Sequence, residues 1–134
     1  MKSVSASIAA ALSLFATPLL AAPPAPAEQI LAPADGAVVT SPFKVRFGVV
    51  GMTVAPAGDM TAETGHHHLL INVAVVPAGE GIPADAQHLH FGKGQTETEV
   101  TLPPGTYKLT ALFANGAHQS YGPAMSKTIS VTVK

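Results

Sequence analysis

Phe43-Lys44-Val45-Arg46-Phe47-Gly48-Val49 alternates apolar residues with charged or small ones without a break. A strand turns successive side chains to opposite faces, so Phe43, Val45, Phe47 and Val49 share one face. That is the period of a half-buried β-strand. The same period recurs downstream. Thr106 to Ala114 places Tyr107, Leu109, Ala111 and Phe113 on one side. Ser126 to Val133 places Ile129, Val131 and Val133 inward and Thr128, Ser130 and Thr132 outward. His67 to Val76 is apolar on both faces, as a central strand between two layers is. His88 to Phe91 and Glu97 to Leu102 read as shorter strands.

Turn signals separate these runs: Pro33-Ala34-Asp35-Gly36, Gly92-Lys93-Gly94, Pro103-Pro104-Gly105-Thr106 and Asn115-Gly116. No segment shows a helical period. The expected fold is all-β, an immunoglobulin-like antiparallel β-sandwich of about six to seven strands over residues 30–134. Phe43, Val45, Phe47, Leu69, Ile71, Val73, Leu109, Phe113, Ile129 and Val131 are its expected core. Such a fold by itself carries no function.

Upstream, residues 1–21 read as a signal peptide. Lys2 supplies a positive start, Ile8 to Leu20 an apolar stretch, and small residues follow at Ala21, Ala22, Ala25 and Ala27. Cleavage is expected after Ala21, with Ala27 as the alternative. A retained anchor is the competing reading, but Ser13, Thr17 and Pro18 interrupt a run already short of the roughly 20 residues a span needs. Residues 22–29 read as a Pro/Ala-rich linker. The expected address is the periplasm, with no stable membrane insertion once the leader is removed.

The chain has 134 residues, no cysteine and a net charge of −1. Losing Lys2 with the leader leaves 6 basic against 8 acidic side chains. No polybasic surface results, so nucleic acid is not an expected partner. Without cysteine an exported chain forms no disulfide and must rely on an apolar core, for which about 110 residues suffice. Metal ligands are then limited to imidazole, carboxylate, thioether and backbone groups.

Five of the 6 histidines lie close together, as Gly65-His66-His67-His68 and His88-Leu89-His90. In extended chain, His66 and His68 form one same-face pair and His88 and His90 another. His67 is expected on the opposite face with Leu69 and Ile71. At least three of the four paired imidazoles are expected to converge. Neutral imidazole is the commonest protein ligand for zinc and copper. The candidate metal ligands are His66, His67, His68, His88, His90 and His118, the last reaching the site from another part of the sandwich. Gln95 and Glu97, with Glu99 and Thr96 nearby, are candidates to orient ligand rings. Met52, Met60 and Met125 are soft donors for Cu(I), or core filling. A solvated or simply packed histidine cluster is the alternative to a metal site.

Catalytic signatures are missing. There is no Gly-x-Ser-x-Gly elbow, and Gly92-Lys93-Gly94-Gln95-Thr96 lacks the spacing of a phosphate loop.

Gly65-His66-His67-His68-Leu69-Leu70-Ile71-Asn72, His88-Leu89-His90-Phe91-Gly92-Lys93-Gly94-Gln95-Thr96-Glu97 and Leu102-Pro103-Pro104-Gly105-Thr106-Tyr107 together resemble a family of small exported bacterial proteins classed as a domain of unknown function. The resemblance covers about residues 30 to 134. It implies a fold and an exported address, and it marks His66, His67, His68, His88, His90, Gly92, Lys93, Gly94, Gln95 and Glu97. Pro33-Ala34-Asp35-Gly36, Pro104-Gly105-Thr106-Tyr107 and Asn115-Gly116-Ala117-His118 also resemble the periplasmic copper-resistance carriers with an immunoglobulin-like sandwich. That likeness implies His118 as a ligand. The carriers' histidine at the mature N-terminus has no counterpart here. The leading expectation is a non-enzymatic periplasmic module that binds copper or, second, zinc. The alternatives are an envelope binding or scaffold domain that recognises a protein or small ligand without metal, and a metal-dependent enzyme with an open coordination position.

Overall fold

The computed structural model describes residues 1–134. Residues 1–26 are exposed and carry no regular secondary structure. No helix is long and apolar enough to cross a membrane. Nine strands follow: β1 (Ala27–Ala32), β2 (Ala37–Val39), β3 (Phe43–Val50), β4 (Thr53–Val54), β5 (Thr64–Ile71), β6 (His88–His90), β7 (Glu97–Val100), β8 (Gly105–Ala114) and β9 (Ser126–Val133). One 3-10 turn, Pro123–Met125, precedes β9.

The chain is all-β, as its alternation predicts. One sheet has the order β1-β3-β7; the other runs β2-β9-β8-β5-β4, with β6 paired to β5 beside β4. The strand count exceeds the expected six to seven because β2 and β4 are too short to show a period and β1 lacks clean alternation. Two pairings are parallel, β2 on β9 and β4 on β5, so the larger sheet is mixed where only antiparallel pairing was expected, while β1-β3-β7 is antiparallel throughout. Ala27 to Gln29, read as linker, already pair with Val50 to Gly48 of β3.

The sheets pack face to face. Phe43, Val45 and Phe47 of β3 meet Leu69 and Ile71 of β5, Leu109 and Ala111 of β8, and Ile129, Val131 and Val133 of β9. Lys44 and Arg46 alternate outward. Each fully buried Leu, Ile, Val or Phe contributes about 1.5–3 kcal/mol, so this layer supplies the stability that disulfides cannot. Tyr107, near the start of β8, donates its hydroxyl to Pro103 O at 2.7 Å. A tyrosine bonded back to upstream backbone is a corner contact of immunoglobulin-like sandwiches.

The larger sheet is covered on its outer face too. Leu70 and Leu112 pack there with Val76, against Val73, Val75 and Ile82 from the segment after β5. β5 ends at Ile71, not at Val76 as its apolar run suggested. Asn72 has a φ of 56°, and its Oδ1 accepts from Lys108 N at 2.8 Å, which turns the chain out of the sheet. Val73 therefore belongs to this outer cluster and not to the core between the sheets. Phe113 is buried as expected, against His67 and Tyr121. Covering both faces buries seven consecutive residues of β5, Gly65 to Ile71, the histidines among them.

Candidate metal centre

The register of β5 sets the site. His66 and His68 share its outer face, and His67 turns inward. β6 runs antiparallel to β5 with His90 directly opposite His68 and His88 opposite Leu70. On the other side of β5, His66 lies opposite Ala114, the last residue of β8. The loop leaving β8 then brings His118 back over the same face. One potential ligand nitrogen from each of His66, His68, His90 and His118 falls within a group whose members all lie within 4.8 Å of one another.

His66 Nε2 is 3.1 Å from His118 Nδ1 and 3.2 Å from His90 Nε2. Ligands about 2.0–2.1 Å from a tetrahedral ion stand about 3.3–3.4 Å apart, so these separations are near those of a coordination shell. One hydrogen on His66 Nε2 aims at one neighbour only. An ion accepts a lone pair from every ring at once. His66 Nδ1 and both ring nitrogens of His68 are buried with no hydrogen-bond partner. Leaving such atoms unmet costs about 1–3 kcal/mol each, so the cluster is unfinished as a purely protein structure.

The electrostatics agree with a ligand role. Burial, reinforced by the neighbouring histidines, pushes the His68 imidazole down to about 3 and that of His66 to about 4. Burial, then His118, also lowers His90. These rings are neutral near pH 7 and keep the lone pairs that a metal needs.

Local chemistry explains how the rings are held. His118 has a φ of 60°, uncommon for a residue with a Cβ. Asn115 holds this bend: its Oδ1 accepts from Ala117 N and Gln119 N, at 2.9 and 3.0 Å, while its carbonyl accepts from His118 N at 2.9 Å. Gly92 makes room for His90. A Cβ at Gly92 would lie 2.3 Å from Cε1 of that ring. Gly116 admits the chain at Asp59, whose carbonyl oxygen would sit 2.2 Å from an added Cβ. The sequence marks Asn115-Gly116 and Gly92-Lys93-Gly94 as turns. Gly92 serves as space beside a ligand, and the positive φ belongs to Gly94, at 79°.

Other candidates stand apart. His67 points between the sheets, as expected from its parity. Its Nδ1 lies 2.5 Å from Oε1 of buried Glu28, and its ring stacks on Phe47. Burial raises the Glu28 carboxyl, against the lowering effect of His67. His88 is engaged with Asp85 at 2.7 Å and lies outside the cluster of four. Gln95 accepts from Lys93 N. Glu97 belongs to the smaller sheet and faces Lys44 and Arg46, at 3.6 and 4.0 Å. Neither residue orients a cluster ring, because the chain changes sheets between β6 and β7. Met60 is exposed, while Met125 is buried at the end of the 3-10 turn.

A cleft of about 110 Å³ borders the cluster, lined by His68, His90, His118, Ile82, Pro83 and Ala84. Two larger, shallower hollows, each about 430 Å³, lie over Asn72–Val75 with Lys108 and over Ala27–Leu31. Converging donors mark a site better than volume does, so the four histidines and their cleft are the candidate centre.

A family model described as "Domain of unknown function (DUF4399)" matches residues 45–134, the region that contains all four clustered histidines. No curated protein and no solved structure matches the chain.

Proposed function

We infer that this chain, which belongs to the DUF4399 family of domains of unknown function, is a periplasmic metal-binding module that holds one divalent ion, copper in preference to zinc, between His66, His68, His90 and His118. One observation carries the reading: four imidazoles converge, and neither ring nitrogen of the buried His68 has a protein partner. The preference for copper follows from the donor set. Four imidazole nitrogens bind Cu(II) more tightly than Zn(II) in the general order of divalent ions. The periplasmic address rests on the leader-like residues 1–21, with Lys2, the apolar Ile8 to Leu20 and the small residues after it.

The test is a titration of Cu(II) and Zn(II) into untagged protein, beside the variant His68→Ala/His90→Ala. The wild type should take up one equivalent of Cu(II) and retain it against Zn(II). Equal uptake by the double variant would end the reading. Mass spectrometry of the exported protein should show a chain beginning at Ala22. An intact Met1 in a membrane fraction would remove the periplasmic part.

A further inference from the structure

The four histidines are not equivalent in their access to solvent. His66 is fully buried, and it is the one member of the cluster that does not line the adjoining cleft. His68, His90 and His118 border it, and Ile82, Pro83 and Ala84 form its remaining wall. An ion among the four rings would therefore have His66 behind it and the cleft in front.

We propose that the ion keeps a coordination position open toward this cleft, and that a compact anion of a few heavy atoms occupies it. The inference rests on the metal-binding reading. It departs from a closed four-ligand shell of the kind structural sites use, in which no exogenous donor enters. The size follows from the volume. Space for one water needs roughly 10–15 Å³ on a comparable measure, so about 110 Å³ holds a small ion with room to spare, and it lies far below the roughly 300–1,000 Å³ of pockets for larger ligands. The charge follows from the lining. No carboxylate borders the cleft to repel an anion. No Lys or Arg borders it to recruit a large polyanion. The attraction is the bound ion's own positive charge, the largest local charge in such a site. The wall of Ile82, Pro83 and Ala84 offers apolar contact and no side-chain donor of its own.

The test uses the full mature chain loaded with Cu(II), with azide as the probe. Ala84 is exposed, so enlarging its side chain is compatible with folding. In the wild type, azide should produce a saturable charge-transfer absorption and alter the Cu(II) electron paramagnetic resonance spectrum. Ala84→Leu and Ala84→Trp should bind copper as the wild type does. Their azide affinity should fall in that order, by tenfold or more in Ala84→Trp. No azide band in copper-loaded wild type would show that the shell is closed or that a side chain fills the position, and would overturn the proposal while leaving metal binding intact. An azide affinity unchanged in both variants would also overturn it, since the anion would then reach copper by another route. Failure of the wild type to take up copper would instead defeat the metal-binding reading.

Discussion

His67 and its two neighbours occupy the same strand and are equally hidden from solvent, yet they sit in opposite chemical situations. On the inner face, His67 has Glu28 Oε1 at 2.5 Å and Phe47 stacked on its ring. The outer face gives His66 and His68 only other histidines at ligand distance. A carboxylate beside an imidazole answers that burial in part, at one nitrogen and one oxygen, while His67 Nε2 and Glu28 Oε2 keep no partner. Four imidazoles converging on a point are an answer only when something else completes them. Burial alone thus does not separate a structural histidine from a ligand; the identity of its partner does.

The sharpest way to break that contrast is to exchange the outcomes. His68→Ala/His90→Ala should weaken Cu(II) binding about a thousandfold or more, since four-ligand sites are worth about 10–16 kcal/mol and half the ligands are gone. His67→Leu should leave the affinity within about threefold. It should instead cost about 3–5 kcal/mol of stability, because Glu28 is left buried without its partner. Adding Glu28→Leu should restore most of that loss. Calorimetric metal titration and chemical denaturation read the two effects separately. A large loss of copper affinity in His67→Leu would erase the distinction between the faces.

Gly92→Ala comes next. Its new Cβ would meet the His90 ring at 2.3 Å, and we expect Cu(II) affinity to fall about 10–100-fold, as when the support of a ligand is removed. Gly94→Ala, at a φ of 79°, should cost about 1 kcal/mol of stability and leave the affinity alone. Equal metal affinities in the two variants would show that His90 does not depend on this space.

The pH dependence of the metal-free protein sharpens the comparison further. In the unfolded chain the histidines take up protons near pH 6.5. Folded His66 and His68 resist until about 4 and about 3. Between those limits the unfolded state binds more protons, so the melting temperature should fall as the pH is lowered from about 6.5 toward 4. His68→Ala/His90→Ala should show a shallower fall. Parallel melting curves across that range would contradict the buried, neutral state of these rings.

The smallest effect belongs to His88. Although it lies two residues from His90, His88→Ala should leave copper affinity unchanged within error of a titration, because its ring is held by Asp85. His90→Ala measured alongside should differ by more than tenfold.

That pair also shows how far the sequence could be read. Strand period places Phe43, Val45 and Phe47 inside, and it separates His67 from His66 and His68, because parity is a local property. It cannot choose between His88 and His90, which have the same parity. The choice depends on register: His90 falls opposite His68 while His88 falls opposite Leu70, beyond the cluster. Glu97 misleads for a related reason. It is close to His90 in sequence, but the strand that carries it joins the other sheet. His118 is a candidate by residue type and by resemblance, while the left-handed bend that brings it to the cluster rests on Asn115. The short edge strands β2 and β4 left no trace in the hydropathy pattern, since two or three residues cannot display a period.

His66 and His118 are 52 positions apart along the chain, and their ring nitrogens stand 3.1 Å apart in space. An ion held by both would therefore close a long loop that no covalent bond closes in this cysteine-free chain. Restricting the unfolded ensemble by a cross-link over that many residues is worth about 4 kcal/mol in the chain-entropy treatment of loop closure. The short strand β6, tied to the rest of the sheet by β5 alone, would be fastened at His90 by the same knot. Ligand geometry and resistance to unfolding would then rise and fall together as the ion enters and leaves.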